Sequence, residues 1–246
     1  MNPLILSSTI KKPNDIKLIM LQHINAKTSS KRSGHGKNVQ VVHYYDVVSS
    51  FDIETSSYYK NDEKRAIMYI WQLDIHGETI VGRTWNEFID TIDEIAKIMQ
   101  TDTEKRFVIY VHNLAYEFGF LSQRFNWSSV FALKKRNVIK AVTDSGIEFR
   151  CSYALSTLAL KHIPNQISDP KLKVEKMVGD LDYTKIRNAL TVLDDKEMAY
   201  CINDVKIVTA YIYEKALQDG EIRNLSSYSG LYVRVMKQLM GYKLAS

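Results

Sequence analysis

The stretch RFVIYVHNLAYEFGFLSQRF, residues 106–125, decides the fold class. Its first nine residues carry the apolar run Phe107–Val111 and predict a buried strand. From Ala115 onward the bulky residues recur at helical spacing. A buried strand that runs straight into a helix is the repeating unit of an α/β fold, and ligands collect at such junctions. Upstream, VQVVHYYDVVSSFDIET (39–55) predicts one or two strands ending near Glu54. RAIMYIWQLDI (65–75) predicts another, HGE (76–78) a turn, and TIVGRTW a returning strand. Phe88, Ile89, Ile92, Ile95, Ala96 and Met99 then give a helix over 86–99. Downstream, SVFALKK, VIKAVTD and IEFRCSY predict three short strands, with Ser145-Gly146 as the last turn. Residues 164–190 are irregular. A long helix follows over 194–218, capped by Asp194 or Asp195, with Met198, Cys201, Ile202, Val205, Val208, Ile212 and Ala216 on its apolar face. The pattern predicts an α/β domain over 39–218, a mixed β-sheet flanked by helices.

The ends of the chain differ from this body. The net charge is +5, yet residues 1–40 hold seven basic groups and one acid, which leaves the rest at −1. A strongly basic nucleic-acid-binding body is therefore excluded. Residues 15–24 predict a short amphipathic helix. NAKTSSKRSGHGKN (25–38) is polar, small and basic and predicts a flexible linker, so residues 1–38 are expected to form a basic, flexible N-terminal extension. It reads either as an arm on phosphates or as a solvated tail. Residues 219–246 are weakly patterned and predict a trailing segment. Cys151 and Cys201 lie 50 apart with no CxxC spacing, which reads as two buried thiols in an intracellular protein. No apolar run approaches the ~20 residues of a membrane span.

Four segments carry carboxylates. In FDIET (51–55), Asp52 and Glu54 are two apart on a strand and share a face. Two adjacent carboxylates repel unless a cation neutralises them, and an all-oxygen set suits Mg²⁺ or Mn²⁺. An exposed charged strand end has the same spelling. Glu117 falls in the first turn of the helix after His112-Asn113. There it fits a ligand or an acid favoured by the helix dipole, and Asn113 fits a ligand contact or an N-cap. In YCIND (200–204), Tyr200 and Asp204 are four apart on the long helix, beside its apolar stripe. A buried Asp needs a metal or a partner, and that partner can be the Tyr itself. VGDLDY (178–183) adds Asp180 and Asp182 in what also reads as a surface turn.

The order of these segments (FDIET, YVHNLAYEFGFL, GDLDY, YCINDVKIV) resembles the DEDD-type 3′–5′ exonuclease domain, tyrosine subclass, of protein-primed family B bacteriophage DNA polymerases. The resemblance covers residues 43–217. It implies a ribonuclease-H-like fold and two divalent ions, Mg²⁺ or Mn²⁺, about 4 Å apart. It implies that Asp52, Glu54, Glu117 and Asp204 ligate them and that Tyr200 orients the attacking water. The product would be 5′-mononucleotides from a single-stranded DNA 3′ end. The family's DNA contacts fall on Thr55, Tyr110, Asn113, Tyr116, Phe120 and Leu155. The position linked to a terminal, priming protein is His112. For each aromatic, a place in the core is the competing expectation. Two positions depart from the family. Glu117 stands where Asp is commoner. Val178 stands where a Lys contacting the scissile phosphate is frequent, with Lys176 as the nearby candidate.

The resemblance further implies a proofreading role in DNA replication, in the cytoplasm of an infected bacterial host, with no membrane association. A polymerase domain would act in cis or in trans, and residues 219–246 would lead toward it. A free-standing DEDD nuclease on DNA or RNA is one alternative. A weakly active or inactive module that binds single-stranded DNA or a polymerase is another.

Overall fold

In the computed structural model, the described residues are 2–33, 40–134, 136–177, 182 and 184–219. Of the VGDLDY segment only Asp182 lies among them, and of the trailing segment only Asp219. Strand β1 (Ile10–Lys11) and a 3-10 turn (Pro13–Asp15) lead into α1 (Ile16–Leu21). Then come β2 (Thr28–Ser33), β3 (Gln40–Tyr45), β4 (Ser49–Lys60), β5 (Glu63–Ile75), β6 (Glu78–Gly82) and α2 (Trp85–Met99). β7 (Lys105–Val111), α3 (Leu114–Leu121), β8 (Trp127–Ala132), β9 (Val138–Thr143), β10 (Ile147–Cys151) and α4 (Ser152–Ser156) follow. A 3-10 segment (Leu160–Gln166) and the long α5 (Asp195–Asp219) complete the order.

The sheet order is β1-β6-β5-β4-β7-β10-β9-β8, with β3 beside β7 and β2 beside β3. β4, β5 and β6 form an antiparallel meander. β7 pairs parallel with β4, and β10 pairs parallel with β7. A central β6-β5-β4-β7-β10 order with β5 reversed is the ribonuclease-H-like arrangement, so the expected fold class is the observed one.

Alternation along β7 divides the core. Phe107, Ile109 and Val111 pack with Phe88 and Ile92 of α2, while Val108 and Tyr110 pack with Ile207, Val208 and Tyr211 of α5. Reciprocal caps fix where both helices begin. Thr84 and Glu87 cap α2. At α5 the Glu197 amide donates to Asp194 Oδ1 (2.8 Å) and the Asp194 amide to Glu197 Oε2 (3.2 Å), which makes Asp194 the cap.

Two expectations are corrected. The first strand region does not end near Glu54, because β4 runs on to Lys60 and pairs with β5 to the tip. Asn61 and Asp62 both adopt positive φ (52° and 59°), as a tight hairpin turn with right-handed strand twist requires. Nor do the described residues of the N-terminal segment lie apart from the domain. β1 pairs with β6, β2 pairs with β3 from Thr28–Tyr45 to Ser33–Gln40, and α1 buries Ile16, Ile19 and Met20. The polar, basic composition of 28–33 suits an edge strand, where one side faces water and Lys and Arg discourage further pairing. Cys151 and Cys201 are buried free thiols, as expected. Among the described residues no helix is long and apolar enough to cross a membrane.

Candidate active site

Phe51 and Ile53 of β4 point into the core beneath α2. The pleat therefore turns Ser50, Asp52 and Glu54 to the opposite face, toward α5. Ser50 locks the two elements together: its hydroxyl donates to the Val205 carbonyl (2.8 Å) and meets the Thr209 hydroxyl (2.8 Å). That contact fixes α5 one turn from Asp204. One carboxylate oxygen from each of Asp52, Glu54 and Asp204 lies within 4.8 Å of the others. Glu117 joins them from α3, at the end of β7. It is 4% exposed, and its Oε2 has no hydrogen-bond partner among the described residues.

Four crowded carboxyls cannot all ionise freely. Burial, then the charges of Glu117, Asp204 and Glu54, push Asp52 well above the ordinary carboxylate range. Burial pushes Glu117 up to about 8, against the pull of its own hydrogen bond with Asp52. Burial and Asp204 raise Glu54 to about 7, while Lys176 and Arg187 pull it down. Burial raises Asp204, and Lys176 opposes it. An all-oxygen set with an orphaned buried oxygen and surplus negative charge fits a divalent cation such as Mg²⁺ or Mn²⁺.

Lys176 is the cation that the chain itself supplies. Its Nζ lies 2.5 Å from Asp204 Oδ1 and 4.4 Å from the centre of the Tyr200 ring. Tyr200 and Asp204 therefore share one helical face, as their spacing requires. Asn203, between them, holds the Lys176 segment by both ends of its amide. It donates to the Glu175 carbonyl (2.9 Å) and accepts from the Met177 amide (3.0 Å). Arg187 latches the next stretch. It bonds Glu197 in the first turn of α5 and the carbonyls of Asp182 (2.7 Å) and Lys185 (3.1 Å), and its own amide donates to Ser56 of β4 (2.9 Å). Sequence reasoning missed Asn203 and Arg187. The signal for Asn203 was its place inside YCIND.

The other candidate residues divide. Between Glu54 and Thr55 the register of β4 on β5 shifts. Such an irregularity re-aims a side chain beside a site, and Thr55 Oγ1 here meets the Tyr116 hydroxyl at 2.6 Å. Tyr116 is exposed, and Phe120 is half-buried with its ring 5.4 Å from that of Tyr116. Asn113 is exposed and stands at the N-cap position of α3 in the left-handed region (φ 68°), where its side chain makes no cap bond. Leu155 is half-buried on α4. Tyr110 corrects its expectation as a DNA contact. It is 1% exposed, its ring packs in the α5-side core and its hydroxyl meets Arg150, so it has no face to offer a base. His112 pairs with Ser152 (3.0 Å), and burial lowers its pKa to about 4. Asp182 is an exposed turn residue that accepts from the amide and hydroxyl of Thr184 (2.9 and 2.6 Å). Val178 and Asp180 lie outside the described residues.

No known family model matches the sequence, and no curated protein sequence does. Solved structures do match. Phi29 DNA polymerase, in its ternary complex with primer-template DNA and incoming nucleotide, superposes with a TM-score of 0.55 at 19% identity, over 80% of this chain and 35% of its own. An orthorhombic crystal form of Phi29 DNA polymerase gives 0.54 at 18%, over 79% and 34%. The catalytic core of RRP6 from Trypanosoma brucei, mutant C496S, gives 0.47 at 8%, over 91% and 52%. The chain thus spans about a third of the Phi29 polymerase chain, and at these identities the likeness is one of fold.

Proposed function

We propose that this chain is a metal-dependent 3′–5′ exonuclease that removes mononucleotides from single-stranded DNA ends, as the proofreading module of a phage-type DNA polymerase. The observation that carries it is the convergence of Asp52 and Glu54 from β4, Glu117 from α3 and Asp204 from α5 on one acidic cluster. The ordered motifs and the shared fold of part of Phi29 DNA polymerase support the same reading. The polymerase domain and a terminal protein are partners of this proposal.

Two divalent ions bound here would activate a water and stabilise the leaving 3′ oxygen. The four carboxylates would hold them. Tyr200, buried under Lys176, would orient the attacking water with its hydroxyl. Lys176 exchanges its bond to Asp204 for the scissile phosphate. Thr55 and Asn113 hold the terminal nucleotide, and Tyr116 and Phe120 offer ring faces that tolerate any base, as editing requires.

The test uses 3′-labelled single-stranded and duplex DNA with Mg²⁺ or Mn²⁺. Labelled mononucleotide should leave first, faster from the single strand, and EDTA should stop it. Binding without hydrolysis would favour a binding module. RNA cut as readily as DNA would remove the proofreading assignment.

A further inference from the structure

A line of side chains runs from beside the acidic cluster along α3 and crosses to α2. It begins at the Thr55–Tyr116 hydroxyl contact. From Tyr116 it passes edge-on to Phe120, and from Phe120 to Trp85 with rings nearly parallel, 20° apart, and centroids at 6.3 Å. It ends on Arg124, whose guanidinium lies 4.1 Å from the centre of the Trp85 ring. Phe120, Trp85 and Arg124 are each half-buried. Neither Trp85 nor Arg124 belongs to the four carboxylate segments.

Arg124 makes no ion pair, although Asp93 and Asp144 line the same cleft. It donates to the Phe120 carbonyl, which pins it at the end of α3, and among the described residues no carboxylate lies within ion-pair distance. A guanidinium carries five N–H donors in a planar fork, so most of this one's capacity is unspent. A purely structural staple between α2 and α3 would need the ring contacts alone. A lone guanidinium on an indole, at the end of an aromatic row that starts beside paired carboxylates, matches the chemistry of a single strand: bases stack and phosphates pair.

We infer that Trp85 and Arg124 extend the site into a track for single-stranded nucleic acid, with bases on Phe120 and Trp85 and a phosphate on Arg124. This rests on the nuclease reading of the acidic cluster. The strand that precedes the terminal nucleotide lies along the track, so affinity grows with length past the nucleotides held at the cluster.

The test is fluorescence anisotropy with phosphorothioate-linked oligothymidylate and oligouridylate in Mg²⁺, comparing a dinucleotide with a dodecanucleotide. Trp85→Ala and Arg124→Ala should each weaken the dodecanucleotide about tenfold, the scale of one lost stacking contact, and leave the dinucleotide unchanged. Arg124→Ala should also reduce the slope of log affinity against log salt by about 0.7, one phosphate's share on a single strand. Trp85→Phe should keep most of the affinity, and Arg124→Gln should repeat the loss in a folded protein if alanine unfolds it. Equal losses at both lengths, or none in variants with wild-type melting, would overturn the track while the nuclease reading stands. A wild-type protein that binds neither oligomer at either length would overturn both.

Discussion

Asp52 shows what the site demands of single residues. Burial, and then three neighbouring carboxyls, push its pKa up, and only the Ile53 amide (2.9 Å) opposes them. Such crowding stabilises a bound cation and destabilises the protein without one. Asp52→Asn is therefore expected to raise the melting temperature in EDTA by about 2–4 °C, the equivalent of roughly 1 kcal/mol in a domain of this size, while removing metal-dependent hydrolysis. A melting scan beside a hydrolysis assay checks both halves. Strand and helix periodicity put Asp52 with Glu54 and Tyr200 with Asp204 on one face, but it was the resemblance of the ordered motifs that singled them out as a site. Asn203 and Arg187 were not legible, because each bonds backbone groups of an irregular stretch whose path no periodicity describes, and Arg187 itself lies in that stretch. Tyr110 misled for the opposite reason: its place in the motif pointed to DNA, while its place in the β7 pleat put it in the core.

Elements are held to the site by buried charge. Arg187 and Glu197 have side chains only 2% and 10% exposed, and their pairing ties the stretch after Asp182 to α5. Arg187→Ala leaves Glu197 without its partner and should cost about 3 kcal/mol in urea unfolding, with Arg187→Lys recovering part of it. On β10, burial alone would raise Glu148, but Arg150, Lys140 and Arg106 together outweigh it and hold its pKa at about 2. The folded pKa lies below the ordinary 4.5, so its contribution is complete above pH 4.5 and fades as pH falls toward 2. Unfolding midpoints between pH 5 and pH 3 should fall more steeply for the wild type than for Glu148→Gln. The strand-then-helix order of these elements was legible. The strand in 28–33 was not, because its Ser, Lys and Arg spell a linker until an edge of the sheet is there to accept them.

Across the whole molecule, the N-terminal segment is part of the domain. Met20 of α1 is fully buried in the cluster beneath α2, so Met20→Ala should cost about 2–5 kcal/mol in chemical unfolding, whereas a detached arm would tolerate it. The basic charge concentrated in residues 1–40 is thus carried in part by strand β2 on the sheet's edge, and the acidic cluster sits in a body near neutrality. Affinity for a nucleic acid there would come from metal, hydrogen bonds and stacking more than from net charge. The most direct test is a time course on 5′-labelled single-stranded DNA in Mg²⁺, wild type beside Asp52→Asn. A ladder that shortens stepwise from the 3′ end with the wild type, and full-length strand with the variant, is the predicted result. No shortening, internal or 5′-end cleavage, or a variant as active as the wild type would contradict it.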